Sequence, residues 1–173
     1  GPGKPFLNSG GALGKVIGGW QLNSLMLFQS GPPLQITGGN PSALNAGTQR
    51  PNWDGRNPTL SGDVRDRLGE YFDTSAFSLN DPFTFGNAPR VMPNLYGPGT
   101  NNVDISLFKN TQINEQVRVQ FRAEAFNATN TPKFSNPQGN VNNSRFMEIS
   151  GQRNVGREGI NERVFRLGLR LNF

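Results

Sequence analysis

Histidine and cysteine are both absent from the 173 residues. Their absence removes any disulfide framework, thiol nucleophile or usual zinc site, and with them Ser-His-Asp and Cys-His catalysis. Apolar residues are scarce at 34%, and mean hydropathy is −0.55. No stretch approaches the 18 or so apolar residues of a membrane-crossing helix. That exclusion does not extend to strands, which cross a bilayer with about 9–11 residues and a single apolar face.

What is present is equally uneven. The 22 Gly and 13 Pro announce long turns and loops, while 13 Phe and several strictly alternating segments argue against disorder. The formal charge is +5 and the pI about 10.2, a balance often found on nucleic-acid or anionic-surface binders. Here the Arg and Lys residues are dispersed, no RNP-like or zinc-finger pattern occurs, and Trp20 and Trp53 stand apart from any basic run. No nucleic-acid partner is expected. The opening "GPGKPF" carries neither initiator Met nor signal peptide, so the chain is expected to be part of a longer product.

Four segments read as strands. In "EQVRVQFRAEAFN", Val117, Val119, Phe121, Ala123 and Ala125 fall on one side, with Arg118, Arg122 and Glu124 on the other. This is a period of two, which a helix would scatter around its circumference. "NNVDISLFKN" sets Val103, Ile105 and Leu107 against Asp104 and Ser106, with Phe108 out of place on the polar side. The intervening "KNTQINE" reads as a hairpin connection, making the two strands antiparallel neighbours. "GGWQLNSLMLFQS" alternates less cleanly and rests on its length, aromatic content and flanking breakers. The final "VFRLGLRLNF" places Phe165, Leu167, Leu169, Leu171 and Phe173 on one side, with Arg166 and Arg170 on the other. The expected strands therefore lie near 18–30, 101–109, 115–127 and 163–173, separated by long connections near 31–100 and 128–162.

Alternation alone suits a soluble β-sandwich or a membrane barrel. An apolar face that runs to the last residue, connections that alternate long, short and long, and charge repeated on the opposite face favour the barrel. Its short turns would face the periplasm and its long loops the outside. Arg118, Arg122, Glu124, Arg166 and Arg170 would then line the lumen.

The loops hold weaker candidates. "GGALGK" lacks the residues of a phosphate loop and reads as a Gly-rich turn. "SGDVRDRLGEYF" predicts one short helical turn, whose Asp63, Asp66 and Glu70 suit a solvated surface better than a calcium ion because Arg65 and Arg67 sit among them. Asn127 and Asn142 open glycosylation-type triplets of a kind common by chance in Asn-rich loops. Trp53, Tyr71, Phe72 and Phe77 are possible ligand contacts by stacking on a sugar ring, although loop aromatics more often pack the loop itself. Arg145, Arg153 and Arg157 are candidates for meeting lipopolysaccharide phosphates. None of these sets amounts to an active site, and no enzyme activity or cofactor is expected.

Beyond these local patterns, the order "GGWQLNSLMLFQSGPPLQI", "YFDTSAF", "FGNAPR", "LYGPGTNNVDISLFKN", "VRVQFRAEAFNATNTPKFSNP" and "FRLGLRLNF" resembles the C-terminal end of TonB-dependent outer-membrane receptors. The likeness is to the large acidobacterial type that carries a carboxypeptidase-regulatory-like domain before the plug. It covers nearly the whole chain, most specifically Gly97 to Phe134. The resemblance implies an all-β fold: an antiparallel transmembrane barrel of roughly 22 strands, of which this chain supplies about the last four. It implies a location in the outer membrane and contacts with lipid and lipopolysaccharide. The TonB system would act through a plug that is not part of this sequence, driving uptake of an unidentified ligand such as a siderophore or oligosaccharide. It further implies that Phe165, Leu167, Leu169, Leu171 and Phe173 form the signal read by the barrel-insertion machinery. The other expectation to be weighed is a secreted carbohydrate-binding or adhesive sandwich.

Overall fold

A computed structural model describes residues 5, 11–40, 47–154 and 161–173. The chain divides into two compact units. One contains the described residues up to Leu27, Asn101–Pro132 and the described residues from Asn161 onward. The other contains the described residues of Phe28–Thr100 together with Lys133–Asn154.

The first unit is built on a sheet. Strands β1 (Trp20–Gln29), β4 (Thr100–Gln112), β5 (Arg118–Phe126) and β6 (Val164–Asn172) lie in the order β1-β4-β5-β6. β4 and β5 pair antiparallel, with Leu107 opposite Ala123, and β5 pairs antiparallel with β6, with Ala123 opposite Leu167. The β1 contact also runs antiparallel. The Asn110 N–H donates to the Gly19 carbonyl at 2.9 Å, while Ser24 Oγ donates to the Asp104 carbonyl at 3.2 Å. Both long connections therefore leave from one end of the sheet and the short one, 113–117, from the other. The sheet is not closed: β1 and β6 each have one unpaired edge among the described residues.

Before β1 comes a helix, α1 (Gly11–Ile17), where "GGALGK" suggested a turn. The difference has a tertiary cause. Lys109 Nζ donates to the carbonyls of Lys15 at 2.6 Å and Val16 at 3.1 Å, and also to that of Gly18. An ammonium group thus meets the partial negative charge of the last helical carbonyls. Gly19, at φ +73, turns the chain into β1 so close to the Asn110 carbonyl that a side chain would collide with it.

At the opposite end of the sheet, Asp104 and Asn127 order the exit of the chain from β5. One Asp104 carboxylate oxygen accepts the Asn127 N–H at 2.8 Å and Asn102 Nδ2 at 2.9 Å. Asn127 Nδ2 in turn donates to the carbonyls of Thr131 at 3.1 Å and Asn161 at 2.7 Å, and its Oδ1 accepts the Thr131 N–H at 3.0 Å. With 3% of its surface exposed and φ at +46, Asn127 is a structural residue whose amide is fully occupied. Asn142, in the second unit, is likewise engaged with both backbone groups of Gly39. Asn127→Ala strands these buried partners and is expected to cost about 1–3 kcal/mol. Its check is a lower temperature for loss of the fast-migrating folded form on unheated gels.

The second unit has little regular structure but a real core. Strands β2 (Asn52–Trp53) and β3 (Phe77–Ser78) pair over two residues each, and isolated bridges such as Pro33 to Tyr96 and Thr59 to Phe72 hold the rest. The expected helical turn is a 3₁₀ turn at Val64–Arg67, capped by Asp63 Oδ1 accepting the Arg65 N–H at 2.8 Å. Asp63 is thereby a cap, while Glu70 accepts the Thr74 N–H at 3.0 Å and Oγ1 at 2.7 Å. Ile36, Ala88, Met92, Leu95 and Met147 are fully or almost fully buried. The described parts of the long connections are packed loops with an interior.

Candidate functional site

Sheet register divides the first unit into two chemically different faces. On one, Ile105–Ala125–Phe165 and Leu107–Ala123–Leu167 form cross-strand rows, followed by Lys109–Phe121–Leu169 and Thr111–Val119–Leu171. These rows span about 20 Å at about 3.3 Å per residue. Among the described residues no second sheet covers β6: Leu167 and Leu169 are each 76% exposed and Phe173 97%. The other sheet among the described residues is the β2–β3 pair, two residues long on each strand and far too small to form a sandwich. Lys109, the one charge in these rows, reaches to the end of α1, its Nζ also 5.3 Å from the centre of the Trp20 ring. That is how a long cationic side chain leaves its stem on an apolar surface and its charge at the rim.

The opposite face is a polar lattice. Arg118 lies across from Asn172, Gln120 from Arg170, Arg122 from Gly168 and Glu124 from Arg166. All five charged residues expected on this side are therefore brought together on it. Arg122 Nε donates to Gln120 Oε1 at 2.7 Å, and Gln120 Nε2 donates to Asn110 Oδ1 at 2.8 Å. Phe108, the misfit in the alternation, lies under the Arg122 guanidinium at 5.2 Å from the ring centre. A cation over an aromatic face explains why a phenylalanine is tolerated there. Such side chains suit water or a polar filling, whereas the Leu and Phe rows suit hydrocarbon.

In the second unit the four aromatic residues considered for ligand stacking have other work. Tyr71, Phe72 and Phe77 are 6%, 3% and 7% exposed, with the Tyr71 and Phe72 rings edge to face at 4.7 Å. This burial favours packing of the loop itself, the commoner of the two readings, over ligand stacking for these three. Burial also pushes the Tyr71 phenol pKa up, partly opposed by Arg67. Trp53 is half-buried and donates from Nε1 to the Arg56 carbonyl at 2.8 Å. Of the three loop arginines, Arg145 is held by Glu148 at 2.9 and 2.6 Å, and Arg153 points to the Pro98 carbonyl at 3.4 Å. Arg157 lies outside the described residues.

Two exposed ion-pair clusters tie the loops. Arg56 meets Asp54 at 2.6 Å and Asp73 at 3.7 Å, and Arg145 meets Glu148 at 2.6 Å. Hydrogen bonds from the Arg56 backbone and side chain hold the Asp54 carboxyl below its ordinary range. The Ser75 hydroxyl does so for Asp73, and Arg145 for Glu148. Depressed carboxylates stabilise the fold above their unfolded pKa values of about 4, and that support is lost as pH falls through the lower folded values. Pepsin nicking of this unit is therefore expected to rise as pH drops below about 4. Asp54→Asn with Glu148→Gln should flatten that rise.

A cleft that no local pattern announced is built by three segments of this unit. Gly38 N–H donates to the Gln49 carbonyl at 3.0 Å, Ala88 N–H to that of Pro51 at 3.0 Å, and Met92 N–H to that of Leu34 at 3.1 Å. These bonds bring residues 34–38, 48–51 and 86–92 around a cavity of about 410 Å³ lined by Gln35, Thr37, Thr48, Arg50 and Arg90, with Ile36. Gly86 permits the approach, because a Cβ there would strike the Arg50 and Pro51 carbonyls. A smaller cavity of about 130 Å³ shares Thr48 and Arg50 and adds Gln49 and Phe85. Arg50 and Arg90 are separated by 40 positions, so no motif could have joined them; "FGNAPR" contains Gly86 and Arg90 but carries no sign of Arg50. Among the described residues no group of three or more Asp or Glu is placed to hold a metal ion.

A family model described as "Outer membrane beta barrel domain" matches residues 1–163. The match ends just before β6, whose apolar rows continue those of β4 and β5. No curated protein and no solved structure matches the chain.

Proposed function

The chain belongs to the outer membrane beta barrel domain family and so resides in the outer membrane, and from that premise we propose that it forms barrel wall and external loops of a TonB-dependent receptor. The receptor takes up a scarce ligand, a siderophore, an oligosaccharide or a similar solute, and performs no enzymatic step. The observation that carries this reading is the two-faced open sheet. Its Leu and Phe rows suit lipid, its arginine and amide face suits a lumen, and its two edges, unpaired among the described residues, suit pairing with further strands of a larger closed barrel.

In this reading Phe165, Leu167, Leu169, Leu171 and Phe173 act before transport. They present an apolar face and an unpaired backbone edge to the barrel-insertion machinery. The TonB system acts through a plug within the lumen, against the face that carries Arg118, Arg122 and Arg170. The packed loops, rich in polar backbone turns, meet lipopolysaccharide and select the ligand.

Energised uptake is the test. Cells producing the whole receptor that contains this chain are expected to accumulate a member of a panel of iron chelates and oligosaccharides, and to stop when an uncoupler collapses the proton-motive force. Accumulation that continues unchanged with the uncoupler would point to a passive pore instead.

A further inference from the structure

We propose that the Arg50–Arg90 cleft binds an oxyanion, a phosphate or carboxylate borne by a small hydroxylated solute. The assignment rests on the receptor reading and gives it a ligand class. Among the described residues neither guanidinium has a hydrogen-bond or ion-pair partner, and no carboxylate lines either cavity. Two other arginines of this unit are neutralised: Arg56 by Asp54 and Asp73, Arg145 by Glu148. Two exposed cations lining one concavity favour an anion there, and a guanidinium presents paired donors that match two oxygens of a phosphate or carboxylate.

The surroundings extend the match. Thr48 opens onto both cavities and offers a hydroxyl beside Arg50. Gln49 lines the smaller cavity. Phe85, 73% exposed, supplies an apolar wall to the same cavity. The larger cavity lies within the roughly 300–1,000 Å³ typical of small-ligand sites. Anionic head against Arg50 and Arg90, hydroxylated body toward Gln35, Thr48 and Phe85: the pattern fits a sugar phosphate or a sugar acid.

Phosphate of this kind reaches an outer-membrane protein from solution or from lipopolysaccharide, and calorimetry on the detergent-solubilised protein separates the two. The soluble probes are glucose 6-phosphate and gluconate, with neutral glucose as control; the lipid arm uses vesicles containing lipid A. Binding of either soluble anion, absent for glucose, is expected. Arg50→Gln and Arg90→Gln should each weaken it about tenfold or more, as loss of a charge-assisted hydrogen bond does. Arg65→Gln, on the 3₁₀ turn and outside the cleft, should leave it unchanged. Binding of lipid A alone, lost in the same two variants, supports the same oxyanion site with the membrane as its source. Should a cleft variant fail to fold, the wild-type protein still decides, because binding to exposed guanidinium groups weakens as salt rises. Absence of binding by all probes, salt-independent binding, or equal affinity in folded R50Q and R90Q overturns the proposal. No energised uptake is needed for this measurement. An intact oxyanion site with uncoupler-resistant accumulation would sink the receptor reading alone.

Discussion

Leu167→Arg is expected to lower the stability of the membrane-inserted sheet by about 2–4 kcal/mol, the cost of an arginine facing lipid near the bilayer midplane. Leu167 sits in the middle of β6, in one row with Ala123 and Leu107, and its side chain is uncovered. Ser106→Arg provides the control, since Ser106 lies across from Glu124 on the polar face. A change within about 0.5 kcal/mol is expected there. Urea unfolding in phospholipid vesicles measures both. Equal losses for the two variants would mean that the Leu rows do not face hydrocarbon.

Leu95→Ala should cost the second unit about 2–5 kcal/mol, the range for removing a buried leucine and leaving a cavity. Leu95 has no exposed surface, and its carbonyl accepts the Leu34 N–H at 2.9 Å, so its backbone and side chain anchor the same junction. Since residues 34–38 also wall the cleft, faster cleavage of these loops by added protease should be accompanied by weaker binding of oxyanions. The sheet should keep its folded gel mobility. Phe83→Ala is the companion, at an exposed ring, and should leave protease resistance unaltered. Resistance unchanged in Leu95→Ala would show that these loops owe their order to something other than this core.

What was legible in the sequence follows from distance along the chain. Strand alternation is a property of neighbours two residues apart, so β4, β5 and β6 and both of their faces could be read directly, including the arginine side. The hairpin between β4 and β5 was readable for the same reason. α1 was not, because its last carbonyls are satisfied by Lys109, more than 90 positions away. The loop core was hidden likewise: Leu34 bonds to Leu95, Tyr71 to Met147 and Ile149 to Leu68. The burial of Tyr71, Phe72 and Phe77 depends on such contacts, and composition only suggested loops.

The lack of His and Cys, two-faced strands and unequal connections were thus determined by the amino-acid order alone, since each depends on residue type and local period. Tertiary structure decided which loop residues became interior and which cations were left without partners. A hydrogen bond between residues 40 or 80 positions apart depends on how the whole chain is routed, and no short window of sequence contains that information.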